Sequence, residues 1–103
     1  MVKQQIKMQS LVYKVQTFQD RDAFAELYNT YISDIYRFIA FKVPTQHDAE
    51  ELTGDVFLKV WEHLTNTEAS AVRGFRAFLY QIARNTVIDW YRKKSTTHEQ
   101  ATE

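Results

Sequence analysis

From Asp20 onward, apolar residues return every three or four positions in three long runs separated by polar intervals, the spacing of amphipathic helices. The last run, FRAFLYQIARNTVIDWYRKK over residues 75–94, contains no Pro or Gly. At about 100° per residue, Phe75, Phe78, Leu79, Ile82, Ala83, Thr86 and Trp90 form one broad stripe. Gln81, Asn85, Asp89 and Arg92 gather on a second face, and Tyr80, Arg84 and Tyr91 on a third. Such a helix packs through one face. The rest of it is either a solvated basic end or a set of amides, cations and rings offered to a nucleic-acid strand.

Two further helices precede it. Asp20 is placed to cap the first, and Phe24, Leu27, Tyr28, Tyr31, Ile32, Ile35, Phe38 and Ile39 carry its pattern to about Lys42. That is too much apolar surface for one narrow seam, so the helix contacts two neighbours. Pro44 ends it, because the residue before a proline is pushed out of the helical region. Thr45 caps the next helix, with Asp48 three residues on as a variant capping box, and the pattern runs to about Leu64. Ala49, Val56, Phe57, Val60, Leu64 and Trp61 occupy its inner side. Asp48, Glu51, Asp55 and Glu62 lie nearly opposite, with Leu58 at the edge of the acidic stripe. A leucine exposed beside like-charged acids gains nothing in an isolated domain and suits the apolar centre of a charged interface. Gly54 costs this helix about 1 kcal/mol relative to Ala and leaves room for close backbone approach.

Outside these runs the pattern is weaker. In residues 1–19, Ile6, Leu11, Val12, Val15 and Phe18 could form a short amphipathic helix at the domain edge. Residues 65–74, TNTEASAVRG, read as a polar loop. Residues 95–103, STTHEQATE, read as a polar tail resembling the start of a linker. The fold expected is therefore all-α, a compact bundle of three long helices over residues 20–94 with a possible short N-terminal one.

Composition narrows this further. The 103 residues include only two Gly and one Pro, which leaves little material for hairpin turns and favours helices. No cysteine is present, which removes disulfides and thiolate metal sites and fits a cytosolic protein. No apolar run approaches the roughly 18 residues of a membrane span, and the first residues lack the continuous apolar core of a signal peptide.

A formal net charge of zero hides a division. Residues 47–68 carry six acids (Asp48, Glu50, Glu51, Asp55, Glu62, Glu68) against Lys59. Residues 72–94 carry six cations (Arg73, Arg76, Arg84, Arg92, Lys93, Lys94) against Asp89. Such adjacent blocks either pair with each other or serve two partners of opposite charge.

Nothing in the chain points to catalysis. His47, His63 and His98 lack metal-ligand spacing, no glycine-rich phosphate loop exists, and Ser10, Ser33, Ser70 and Ser95 lie in no nucleophile-elbow context. No enzyme activity, cofactor or metal is expected.

Three blocks then carry a resemblance. AFAELYNTYISDIYRFI, DAEELTGDVFLKVWEHL and FRAFLYQIARNTVIDWYRKK resemble, in order, spacing and composition, the second conserved domain of bacterial sigma factors, above all the extracytoplasmic-function group. The FRAFLYQIARN…DW pattern is the most specific of them. The resemblance implies a helix that docks on a coiled coil of the largest subunit of core RNA polymerase, a role that falls here to Glu51, Asp55 and Leu58, flanked by Asp48 and Glu62. It also implies recognition and opening of the −10 promoter element by capture of a base flipped from the non-template strand. Unstacking a base costs a few kcal/mol, which stacking and hydrogen bonds must return.

By position, the base-capturing residues are the loop up to Phe75, then Lys59, Asn85 and Asp89. An amide such as Asn85 can both donate to and accept from a base edge, although Asn85 and Asp89 also have the spacing of an ordinary i, i+4 polar pair. Arg73, Arg76, Arg84, Arg92 and Lys93 would hold phosphates. Two departures stand out. The family usually has glutamine where this chain has Gly54, and the loop before Phe75 is long and without an aromatic. Relatives also carry a second helical domain for the −35 element, and this chain stops where the linker should begin, either as an excised domain or as a single-domain relative. The implied setting is cytoplasmic, with an anti-sigma protein as a further possible partner. Two rivals remain: a sigma-like module for protein interaction only, and a generic helical domain reading duplex DNA.

Overall fold

A computed structural model describes residues 2–66 and 68–102, with side chains over residues 3–66 and 68–96. Met1, Thr67 of the polar loop and Glu103 of the tail lie outside the described residues, as does the His98 side chain. Four helices follow one another: α1 (Val2–Phe18), α2 (Arg21–Ala40), α3 (Gln46–Thr65) and α4 (Phe75–Thr102). No strand occurs among the described residues, in accord with the all-α expectation.

The caps form as the sequence predicts. The Asp20 carboxylate accepts from the Ala23 N–H at 3.0 Å, and the Thr45 hydroxyl accepts from the Asp48 N–H at 3.0 Å. Each satisfies one of the N–H groups that a helix start leaves unpaired. Ring pairs then fix the packing. Phe24 meets Trp61 and Tyr28 meets Phe57 edge-on, in opposite chain order, so α2 and α3 run antiparallel. Tyr31 meets Phe75 and Phe38 meets Tyr80 in the same order, so α4 runs parallel to α2. Leu27, Ile35 and Ile39 of α2, Val56 and Val60 of α3, and Leu79 and Ala83 of α4 are wholly buried between them. The sequence predicts two neighbours for α2; it has three, because α1 packs on it as well as α3 and α4.

Two expectations need correction at the ends. The N-terminal helix is not short and does not sit at the edge: α1 spans 17 residues and sends Met8, Leu11, Val12 and Val15 into the core. Ile6, placed by the sequence on its inner face, projects on the far side from Met8 and is 61% exposed. Phe18 falls at the last residue, where the chain turns away, and stacks edge-on against Tyr13 instead. At the other end α4 continues to Thr102 rather than stopping at Lys94, because no Pro or Gly after Gly74 interrupts it.

The α1–α2 corner carries a strained residue. Gln19 has φ 54°, the one non-glycine with positive φ among the described residues. Its N–H donates to the Val15 carbonyl at 2.9 Å, closing α1. This left-handed position is where glycine usually ends a helix. Gln19→Gly is therefore expected to stabilise the fold by about 0.5–1 kcal/mol. A thermal melt checks this, and an unchanged or lower midpoint would contradict it.

Candidate protein and nucleic-acid interfaces

On α3, Asp48, Glu51, Asp55, Leu58 and Glu62 recur at alternating steps of three and four, which places them on one narrow stripe. The stripe lies opposite the buried Ala49, Leu52, Val56 and Val60. Asp48 is half-buried, the other acids are exposed, and Leu58 is 57% exposed. The structure therefore brings together all five residues that the sequence assigned to this face.

The charge blocks of α3 and α4 do not neutralise each other. Ion pairs among the described residues join Lys7 to Glu26, Arg37 to Asp34 and His47 to Glu51, so none links α3 to α4. Asp48 shares a shallow concavity with Trp90, Lys93 and Lys94 and makes no ion pair there.

The face predicted on α4 assembles in part. Gln81, Arg84, Asn85, Asp89 and Arg92 are exposed together. Arg84 donates to the side-chain Oε1 of Gln81 at 3.0 Å, and the Gln81 side-chain amide donates to Oδ1 of Asn85 at 3.2 Å. The Asn85 amide is thus oriented from the preceding turn, not by the i, i+4 partner Asp89 that spacing suggested. Lys59 reaches from α3 to donate to the Thr86 hydroxyl at 3.1 Å, and that hydroxyl in turn donates to the Ile82 carbonyl at 2.7 Å. This pins an ammonium to the α3–α4 seam beside Asn85, with Lys93 on the same flank. Ile88, 48% exposed within this face, was not singled out from the sequence, because an isoleucine at helical spacing reads as core.

Other assigned groups lie elsewhere. Arg73 and Arg76 line a cavity of about 580 Å³ beside α1 and α2, away from Asn85. Arg76 sits over the Tyr80 ring at 4.7 Å. Tyr80 itself is half-buried and meets Phe38 edge-on at 5.2 Å. The Tyr91 hydroxyl donates to the Lys42 carbonyl. Tyr80 therefore ties α4 to α2, and Tyr91 ties α4 to the turn after α2 while its ring stays 45% exposed, through partners the wheel of one helix does not display. Phe75 at the loop's end is also buried. Burial pushes the Tyr31 hydroxyl beside it above its ordinary pKa, with Arg76 opposing, so the phenol stays neutral.

One positioning residue gave no sequence signal. Gln16 of α1 donates to the Ser70 carbonyl at 3.2 Å and accepts from the Val72 N–H at 3.1 Å. A single side chain from the far end of the sequence thus clamps the loop that precedes α4. At the loop's start, Asn66 accepts from the Glu68 N–H at 3.0 Å, a local turn of the kind its amide favours. His63, exposed at the end of α3, packs against Phe78 at 4.8 Å beside this loop.

Comparison with known proteins identifies the family. The family model for Sigma-70 region 2 matches residues 27–97. The chain is similar to the ECF RNA polymerase sigma factor SigM of Bacillus subtilis (strain 168), 35% identical over 68 residues, which cover 66% of this chain and 40% of that protein. It is similar to the ECF RNA polymerase sigma factor BldN of Streptomyces coelicolor, 36% identical over 86 residues, covering 84% of this chain and 32% of that protein. SigX of Bacillus subtilis is 31% identical over 78 residues, 76% of this chain and 39% of its own length. The chain thus spans two fifths or less of these three relatives. No solved structure matches it.

Proposed function

The chain belongs to the sigma-70 region 2 family, as an extracytoplasmic-function type of that domain, and from that membership we propose that it acts in transcription initiation through two separate surfaces. The acidic stripe of α3 docks on a basic coiled coil of core RNA polymerase. The polar face of α4 captures bases of the non-template strand at the −10 element. It works in the cytoplasm, where polymerase and promoter meet, and an anti-sigma protein is the natural regulator of either surface.

The observation that carries this reading is the unshared charge. Helices of opposite sign lie side by side, yet no ion pair among the described residues links them. An acidic stripe left facing solvent repels itself unless a cationic partner covers it. On α4, Arg84 and Arg92 flank Asn85, so phosphates can be held while the amide meets a base edge. Lys59, fixed by Thr86, adds a third cation, from the α3 side. Arg73 and Arg76, being set apart, serve phosphates further along the strand.

Base reading and charge can be separated by experiment. Fluorescence anisotropy of labelled single strands with varied −10 sequences, at two salt concentrations, compares wild type with Asn85→Ala. Wild type is expected to prefer some sequences by roughly 1–3 kcal/mol. Asn85→Ala is expected to erase that preference while most of the salt-dependent affinity remains. Equal binding of all sequences, or tighter binding of duplex than of single strand, would overturn the assignment of strand reading to α4.

A further inference from the structure

The loop between α3 and α4 is held from outside itself. At one end the Ala69 N–H donates to the Asn66 carbonyl at 3.0 Å, and at the other the Phe78 N–H donates to the Gly74 carbonyl at 3.0 Å. Between them, among the described residues, the backbone of residues 70–73 makes no hydrogen bond to other backbone. Its hydrogen bonds go to one side chain: Gln16 donates through Nε2 to the Ser70 carbonyl at 3.2 Å and accepts through Oε1 from the Val72 N–H at 3.1 Å. A primary amide carries a donor and an acceptor side by side, so it can satisfy both groups of a peptide edge. A carboxylate has no donor and an ammonium no acceptor, and neither could make both bonds. Gln16 is half-buried near the end of α1, and Val72 packs half-buried against the core.

This clamp fixes the ground on which Arg73 stands. Arg73 follows Val72 directly, is exposed, and makes no ion pair among the described residues. With Gly74 and Arg76 it lines the cavity of about 580 Å³ that Gln5, Met8 and Gln9 of α1 also line. At 1.5 Å per residue, Gly74 lies about 16 Å along α4 from Asn85. A strand that meets Asn85 and runs toward the start of α4 therefore reaches these cations within a few nucleotides. A phosphate contact carries no sequence information, but it sets the register in which bases are presented. On a fixed backbone, Arg73 would hold one register. On a loose loop the strand could slip past Asn85, and wrong bases would be presented as readily as the right one. We propose that Gln16 is a positioning residue for strand reading: by clamping the backbone at Ser70 and Val72, it holds Arg73 where a phosphate fixes the register of the strand on α4. The inference rests on the strand-reading assignment above. It extends the reading surface to α1, outside residues 27–97 that match the family model.

Two variants, each first shown to be folded by its thermal melt, test it. Gln16→Met keeps the length of the side chain without the amide, and Gln16→Ala removes both. By NMR hydrogen exchange, the Val72 amide is expected to be protected in wild type and to exchange about tenfold faster in either variant. In strand titrations each variant is expected to shrink the preference among −10 sequences about fivefold. Most of the salt-dependent affinity, and binding to core polymerase, should remain. Arg73→Ala should shrink the preference likewise and lower the salt slope by about one; an unchanged preference there would overturn the part given to Arg73. An equal fall in affinity for all sequences, or a parallel loss of polymerase binding, would make Gln16 a brace of the fold and overturn the proposal. A wild-type preference in Gln16→Met, beside its erasure by Asn85→Ala, would also overturn it and leave the strand-reading assignment standing. Absence of any preference in wild type, or its survival in Asn85→Ala, would overturn that assignment and the proposal with it. If Gln16→Met fails to fold, Gln16→Ala carries the test, with Val72 exchange reporting the lost clamp.

Discussion

Asp55→Arg is expected to abolish binding to core polymerase while leaving the fold untouched. Asp55 lies at the centre of the α3 stripe, one turn from Glu51 and three residues from Leu58, and it is exposed. A cation there would face the cations of the partner at the point where the interface is most desolvated. Breaking one charge pair at such a site costs about 2–5 kcal/mol, and reversal adds repulsion, so the affinity should fall by roughly 30-fold or more. Because the residue has no ion-pair partner among the described residues, the thermal midpoint should shift by no more than about 0.5 kcal/mol warrants. Titration of labelled protein with core polymerase, beside a melt of the same sample, reads both numbers.

Leu79→Ala is expected to do the reverse. Leu79 is wholly buried, on the turn of α4 that follows Phe75 and precedes Ala83. Truncating a buried leucine costs about 2–5 kcal/mol, the lost transfer energy plus the cavity left behind. A domain of this size has about 5–15 kcal/mol in all. The melting temperature should therefore fall by roughly 10–20 °C, and both surfaces should weaken together because α4 loses its seat on α2 and α3. The contrast is Leu58→Ala, the same truncation at a residue 57% exposed. That change should leave the melt within about 0.5 kcal/mol of wild type and weaken polymerase binding alone. A large loss of stability from Leu58→Ala would mean that the leucine packs within the domain and is not held out for a partner.

The comparison of these two leucines shows what was legible in the sequence. Leu79 and Leu58 sit in similar helical text, but the pattern around each differs. Leu79 shares its stripe with Phe75, Ala83 and Thr86, while Leu58 shares its stripe with Asp48, Glu51, Asp55 and Glu62. Periodicity within one helix decides which face is buried, and it was sufficient for α2, α3, the caps at Asp20 and Thr45, and the acidic stripe. It was insufficient wherever a residue's environment comes from a distant element. Tyr80 and Tyr91 looked free on the wheel of α4 because Phe38 belongs to α2 and the Lys42 carbonyl to the turn that follows it. Gln16 looked like an ordinary polar residue because its partners, Ser70 and Val72, lie more than fifty residues away. Met8 was overlooked in α1 because a weakly patterned segment with three lysines and many amides gives little contrast between its faces. Gly54 could be noticed in the sequence, but its open surroundings could not, because the groove beside it is lined by Tyr28 and Tyr36 of α2.

The most direct test of the two-surface account is a double dissociation with the wild type, Asp55→Arg and Asn85→Ala. For each, binding to core polymerase and sequence preference for labelled non-template strands are measured on the same folded preparation. The account predicts that Asp55→Arg loses polymerase and keeps the strand preference, while Asn85→Ala keeps polymerase and loses the preference. If either variant, fully folded, changes both properties together, or if Asn85→Ala retains the wild-type preference, the acidic face of α3 and the polar face of α4 are not the separate docking and reading surfaces described above.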